Sequence, residues 1–226
     1  YPDNYRWVEV NINPLARFQD GSPITAADVA FTFNMFMTQG VPQYRVYYKG
    51  VTAKAISRLT VRFEQPQSDR DKMLSLLSSP VFPEKFWKNR NLGEPLPYPP
   101  PSSGPYRITA YKVGQSITYS RVKDYWAANL PVNKGRFNFD KIRYDYYLDD
   151  NVAVEAFKAG AFDFRAAGSA KKWATQYNGN NFERGYIIQD PVRNIVATDT
   201  NWLAFNIQRP QLRDPNVREE LSLLYD

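Results

Sequence analysis

Asp145, Asp149 and Asp150, with Glu155 beyond them, form the most acidic neighbourhood of the sequence. Paired carboxylates are the machinery of glycoside hydrolysis, one serving as general acid and the other as base or nucleophile. The competing reading is structural: aspartates placed just before a helix cap its free N–H groups and favour the positive end of its dipole. Arg165 offers a bidentate fork to a carboxylate, either on a ligand or in a surface salt bridge with Asp163 or another neighbour. The chain has no Cys and no His. Ser-His-Asp and Cys-His machinery is therefore excluded, and zinc and copper lose their usual ligands. Calcium-loop spacing, a P-loop and a dinucleotide fingerprint are also missing. The residues point to no enzyme and to no cofactor.

A formal net charge of +6 and a pI near 9.3 raise the question of nucleic acid or membrane. The charge is dispersed, however. Its densest basic segments, Phe86-Trp87-Lys88-Asn89-Arg90 and Ala170-Lys171-Lys172-Trp173, are short and fit a solvated surface better than a nucleic-acid site. No apolar run approaches the roughly 20 residues needed to cross a bilayer. Aromatic residues make up 15% of the chain, with five Trp and a cluster at Tyr44, Tyr47 and Tyr48. Most belong in packing.

These side chains are carried by a mixed α/β pattern. Leu59, Val61 and Phe63 alternate with polar residues, as strands do. Tyr106–Tyr111 and Ser116–Ser120 form a hairpin across Lys112-Val113-Gly114-Gln115. Helices are expected at 25–38, 69–79, 150–159 and 215–225. Thr25 and Asp28 supply a capping box and an Ile24–Val29 staple for the first, and Ser68 and Asp71 a box for the second. Val29, Phe33, Phe36 and Met37 share one helical face. Gly160 should close the third helix in the left-handed conformation and release a strand over Ala161–Arg165. Six of the 17 prolines (95, 97, 99, 100, 101 and 105) fall in 93–105, which reads as an extended surface linker.

Several of these stretches also resemble, in order, the motifs of extracellular solute-binding protein family 5, the substrate-binding proteins of peptide and nickel ABC importers. Arg17-Phe18-Gln19-Asp20-Gly21-Ser22-Pro23-Ile24-Thr25-Ala26-Ala27-Asp28-Val29 looks like its signature R-x-F-x-D-G-x-P-h-T-A-x-D-V. Ser103-Gly104-Pro105-Tyr106 and Lys123-Asp124-Tyr125-Trp126 resemble its turn and its Tyr-Trp loop. Val154–Asp163 resembles its helix-glycine-strand unit, and Trp202–Asn206 with Asp214–Leu221 its returning strand and following helix. The segment Phe162–Tyr177 is most similar to the YejA-type branch, although Ala166 and Ala167 stand where an acidic residue often follows the Arg.

The resemblance implies a type II periplasmic-binding-protein fold, of which this is a partial chain covering most of the first lobe. Residues 1–200 would form that lobe, and 201–226 a returning strand and helix leading to the hinge, with the second lobe absent. It implies periplasmic localisation in a Gram-negative bacterium, with no signal peptide in this chain. The function implied is that of a monomer that binds a peptide or peptide-like conjugate and hands it to ABC permease subunits, touching the membrane only through them. Trp202 and Asn206, placed beside the hinge in that architecture, are the first ligand-contact candidates, with Arg165 and Trp173. Two alternatives stand: a carbohydrate-binding or glycoside-hydrolysing β-rich domain, and an interaction scaffold built on the Pro-rich linker.

Overall fold

The computed structural model describes residues 1–192 and 204–224. They form two compact units, Tyr1–Leu148 and Asp149–Asp226. The first contains strands β1 (Trp7–Asn11), β2 (Thr52–Ala55), β3 (Thr60–Glu64), β4 (Tyr106–Lys112), β5 (Ser116–Arg121) and β6 (Lys141–Asp145). Its helices are α1 (Ala26–Gln39), α2 (Pro42–Tyr47), α3 (Arg70–Leu76) and α4 (Glu84–Trp87). The second unit is helical, with α5 (Asp150–Lys158), α6 (Ala170–Thr175), α7 (Asn180–Glu183) and α8 (Pro215–Leu223).

Two antiparallel three-stranded sheets, ordered β1-β3-β2 and β4-β5-β6, organise the first unit. The alternation of β3 sorts its side chains cleanly. Val61 and Phe63 point into the core beside Val8, Phe33, Tyr48 and Leu76. Arg62 lies on the other face, paired with Glu9 and Glu64 and stacked over the Trp7 ring. Phe33 of α1 meets Phe63 and Tyr48 edge-on, at 5.7 and 6.1 Å between ring centroids. This geometry suits the quadrupoles of aromatic rings. The β4-β5 hairpin turns where expected, with Gly114 at φ +69 and Gln115 N–H donating to the Lys112 carbonyl.

The capping box at α1 is present in full: the Asp28 N–H donates to Thr25 Oγ1, and the Asp28 carboxylate accepts from Thr25 N–H. The same carboxylate also accepts from Glu84 N–H at 2.9 Å, capping α4 as well. One turn along, Thr32 Oγ1 donates to the Asp28 carbonyl and accepts from Phe82 N–H. The signature motif therefore stitches the 82–84 segment onto α1. Other motifs meet nearby. Gln19 N–H donates to the Ser102 carbonyl and its side chain to the carbonyls of Gly104 and Tyr106, while Trp126 Nε1 donates to the Ser103 carbonyl.

Three local expectations are corrected. The second helix is capped by Asp69, which accepts from Lys72 N–H, rather than by a Ser68–Asp71 box. It stops at Leu76, since Pro80 disfavours helical backbone in the residue before it. Ala161–Arg165 is not a strand: no described strand lies beside it to complete a ladder, Phe164 is 82% exposed, and Phe162 packs on Phe157 instead. The cap before it is as expected, with Gly160 at φ +79 and the Ala161 and Gly160 N–H groups closing onto the carbonyls of Ala156 and Phe157. Finally, Ala204–Asn206 carries no strand, whereas Trp202 lies outside the described residues.

Replacing Asp28 by Ala takes the acceptor from two partly buried N–H donors, those of Thr25 and Glu84, and removes one cap. We expect the unfolding free energy to fall by about 3 kcal/mol, and by about half that for Asp28→Asn, which keeps one acceptor oxygen. Urea titration followed by Trp fluorescence measures both.

Candidate functional site

In the second unit the acidic cluster is put to structural use. Asp149 caps α5, accepting from the N–H groups of Asn151 and Val152 at 2.7 and 3.0 Å. Asp150, in the first turn, faces Arg165 and Lys172, and its carboxylate pairs with both. Lys172 is brought there by α6, whose N-terminus Ser169 caps. Glu155 pairs with Lys158 along the same helix, and Asp145, on β6 of the first unit, pairs with Arg143. Each of the four acids considered for hydrolysis thus serves as a cap or in an ion pair, and the observation that motivated the hydrolytic alternative is accounted for.

Arg165 is the pivot of this cluster. Its side chain is 15% exposed, against 58% for Asp150. Its Nε donates to the Tyr177 hydroxyl at 2.8 Å, and the Tyr177 ring lies 5.9 Å from that of Trp173. The structure therefore brings Arg165 and Trp173 together through buried Tyr177. Of the two salt-bridge partners left open for Arg165, Asp163 or another neighbour, the structure shows the second, Asp150. Asn206 is used locally, its side chain accepting from Gln208 N–H as a turn begins. Trp202 lies outside the described residues. Asp150, Lys172 and Tyr177 complete the cluster; from sequence Asp150 reads only as a catalytic carboxylate or a cap, and Lys172 and Tyr177 are not singled out as site residues. Lys172 stood in a visible basic run and Asp150 in a visible acidic one, but their pairing is tertiary.

The electrostatics are uneven. Hydrogen bonds from Lys172, then from Arg165, hold the Asp150 carboxyl below the ordinary aspartate value of 3.8. Burial works against the charge on Arg165, yet its hydrogen bonds to Tyr177 and Asp150 outweigh that and raise its pKa. Two cations face one carboxylate, so the cluster keeps a net positive charge beside an aromatic wall. Such a site can receive a further carboxylate and a flat or apolar group next to it. Among the described residues no group of three or more His, Cys, Asp and Glu is placed to hold a metal ion. No helix among them is long and apolar enough to cross a membrane.

The fold has clear counterparts among solved structures. The mannopinic-acid complex of MoaA from A. tumefaciens R10 matches at a TM-score of 0.74 and 21% identity, covering 97% of this chain and 42% of that one. The nonapeptide complex of AppA from Bacillus subtilis matches at 0.61 and 23%, covering 78% and 35%. The fold is that of a type II periplasmic binding protein, of which the chain forms part. Residues 2–226 match the family model for bacterial extracellular solute-binding proteins, family 5 Middle. The chain belongs to this family, and within it to the YejA type. It is 65% identical over 226 residues to the uncharacterized protein YejA of Escherichia coli K12, covering 100% of this chain and 37% of that protein. It is 30% identical over 238 residues to the probable peptide-binding protein YejA of Agrobacterium fabrum, covering 100% and 38%. The chain thus spans well under half the length of these relatives.

A carboxylate whose pKa is lowered on folding adds stability that is fully present above its unfolded value, near 3.8, and lost as pH falls through the lowered folded value. Carboxyl-detected NMR titration should therefore place Asp150 below 3.8, and Lys172→Met should move it back up towards that value. A midpoint at or above 3.8 in the unsubstituted chain would contradict the pairing.

Proposed function

We propose that the chain is part of the substrate-binding component of an ABC importer, working in the periplasm on a peptide or peptide-like conjugate and delivering it to the membrane permease. The observation that carries this reading is the family match along residues 2–226. The A. fabrum relative, a probable peptide-binding protein, supports the cargo class. Residues 1–200 are assigned to the first lobe and 201–226 to the approach to the hinge, with the second lobe supplied by chain beyond these residues. The protein acts as a monomer and its chemistry is reversible binding without catalysis. Cargo makes more contacts in the closed state and so shifts the hinge equilibrium towards it.

Within this reading, Arg165 and Lys172 give a peptide carboxylate its counter-charge and Trp173 gives the neighbouring side chain an aromatic face. Asp150 holds the fork in shape until cargo arrives. Trp202 and Asn206 keep their assignment as ligand contacts on the strength of their motif.

Native mass spectrometry with a mixed di- to octapeptide library tests the proposal on this chain and on a longer form that continues through the second lobe. Peptide adducts should form on the longer form and be weak or missing on this chain. Arg165→Gln in the longer form should weaken binding by about ten-fold or more, the worth of a charge-assisted hydrogen bond. Adducts on neither form would refute peptide as the cargo.

A further inference from the structure

Arg165, Lys172 and Asp150 are held unequally. Arg165 Nε donates to the hydroxyl of buried Tyr177 at 2.8 Å, and its side chain is 15% exposed. Lys172 belongs to α6, whose start Ser169 caps, and its side chain is 24% exposed. Asp150 is the outer member at 58%. Its two oxygens are divided between the cations, Oδ1 accepting from Arg165 Nη2 and Oδ2 from Lys172 Nζ. The cap of α5 falls to the neighbouring Asp149, so among the described residues the Asp150 carboxylate serves these two cations alone. The C-terminal carboxylate of a peptide has the same charge, the same plane and the same pair of acceptor oxygens as an aspartate side chain.

We propose that Asp150 is an internal competitor for the carboxylate of the cargo: it fills the Arg165–Lys172 pair in the empty protein and swings into solvent when the C-terminal carboxylate of a peptide takes its place. This rests on the reading of that pair as part of the peptide site. Removing Asp150 has two opposed effects, since the cations lose a group that draws them together while cargo loses a rival. The second prevails. Arg165 keeps its bond to Tyr177 and Lys172 its capped helix, whereas the rival must be displaced in every binding event. Exposed ion pairs are weak, so the competition lowers cargo affinity by only about five-fold. Being tethered, Asp150 also returns at a high effective concentration, so departing cargo leaves no bare cations behind and release is favoured over recapture.

Native mass spectrometry of the longer form, with di- to octapeptides that have neutral side chains and free C-termini, gives the affinities of the parent, of Asp150→Asn, of Arg165→Gln and of the double variant. Asp150→Asn should tighten binding by about five-fold. A gain of this kind cannot come from a loss of folding. In the Arg165→Gln background the same change should give less than about two-fold, because the contested cation is gone, whereas a general effect of removing one negative charge would survive there. Binding that is unchanged or weaker in Asp150→Asn, or a gain that persists undiminished without Arg165, overturns the proposal while leaving the peptide reading in place. Unchanged binding in Arg165→Gln, or no adducts at all, rejects this pair as a peptide site and the proposal with it.

Discussion

The Asp28 carboxylate is the constraint around which the first unit is arranged. It holds the first turn of α1 through the Thr25 backbone and hydroxyl, and it caps α4 through Glu84 N–H. Its residue is nearly fully buried and the donors it serves are partly buried, so leaving them unmatched is costly. With Thr32 bridging to Phe82 one turn away, the 82–84 segment has few places to go. This fixes Phe82 against Phe36 and Trp87 and sets one wall of the core. The family signature around this Asp therefore has a mechanical meaning: it joins a turn, a helix start and a distant segment through a single side chain.

Much of the fold was legible because its cues are local. Thr25 and Asp28 lie one helical turn apart, Val61 and Phe63 alternate within five residues of strand β3, and Gly114 and Gly160 mark positions of positive φ. What failed was non-local. The alternation over Ala161–Arg165 is sound as a pattern, but a strand also requires a neighbour, which no pattern within one segment supplies. Ser68 and Asp69 are both N-cap residue types of similar strength, so the pattern alone does not choose between them, and Asp69 is the one that accepts from Lys72 N–H. The second role of Asp28 depends on residue 84 and leaves no trace in the spacing around residue 28.

The candidate site divides in the same way. Arg165 and Trp173 were named from residue type and family likeness, and they do meet, through Tyr177. The residue joining them was read only as part of a motif. In the acidic cluster the capping reading is borne out at Asp149, which caps a helix, whereas the cations that Asp150 neutralises come from distant positions that its own segment does not show. Density of charge along a chain says little about which charges remain available once each has found a counter-ion.

The pairing of β1 with β3 has a kinetic consequence. Val8 and Val10 find their partners at Phe63 and Val61, across an intervening turn, two helices and a strand. The ends of that long loop must be brought together before the pairing gives any return, a step governed by closure entropy and by the high sequence separation of the contact. The β4-β5 hairpin, closed by a four-residue turn, meets no such delay. During synthesis β1 therefore waits, with one edge and one apolar face uncovered, until the ribosome has released the β3 residues that complete it.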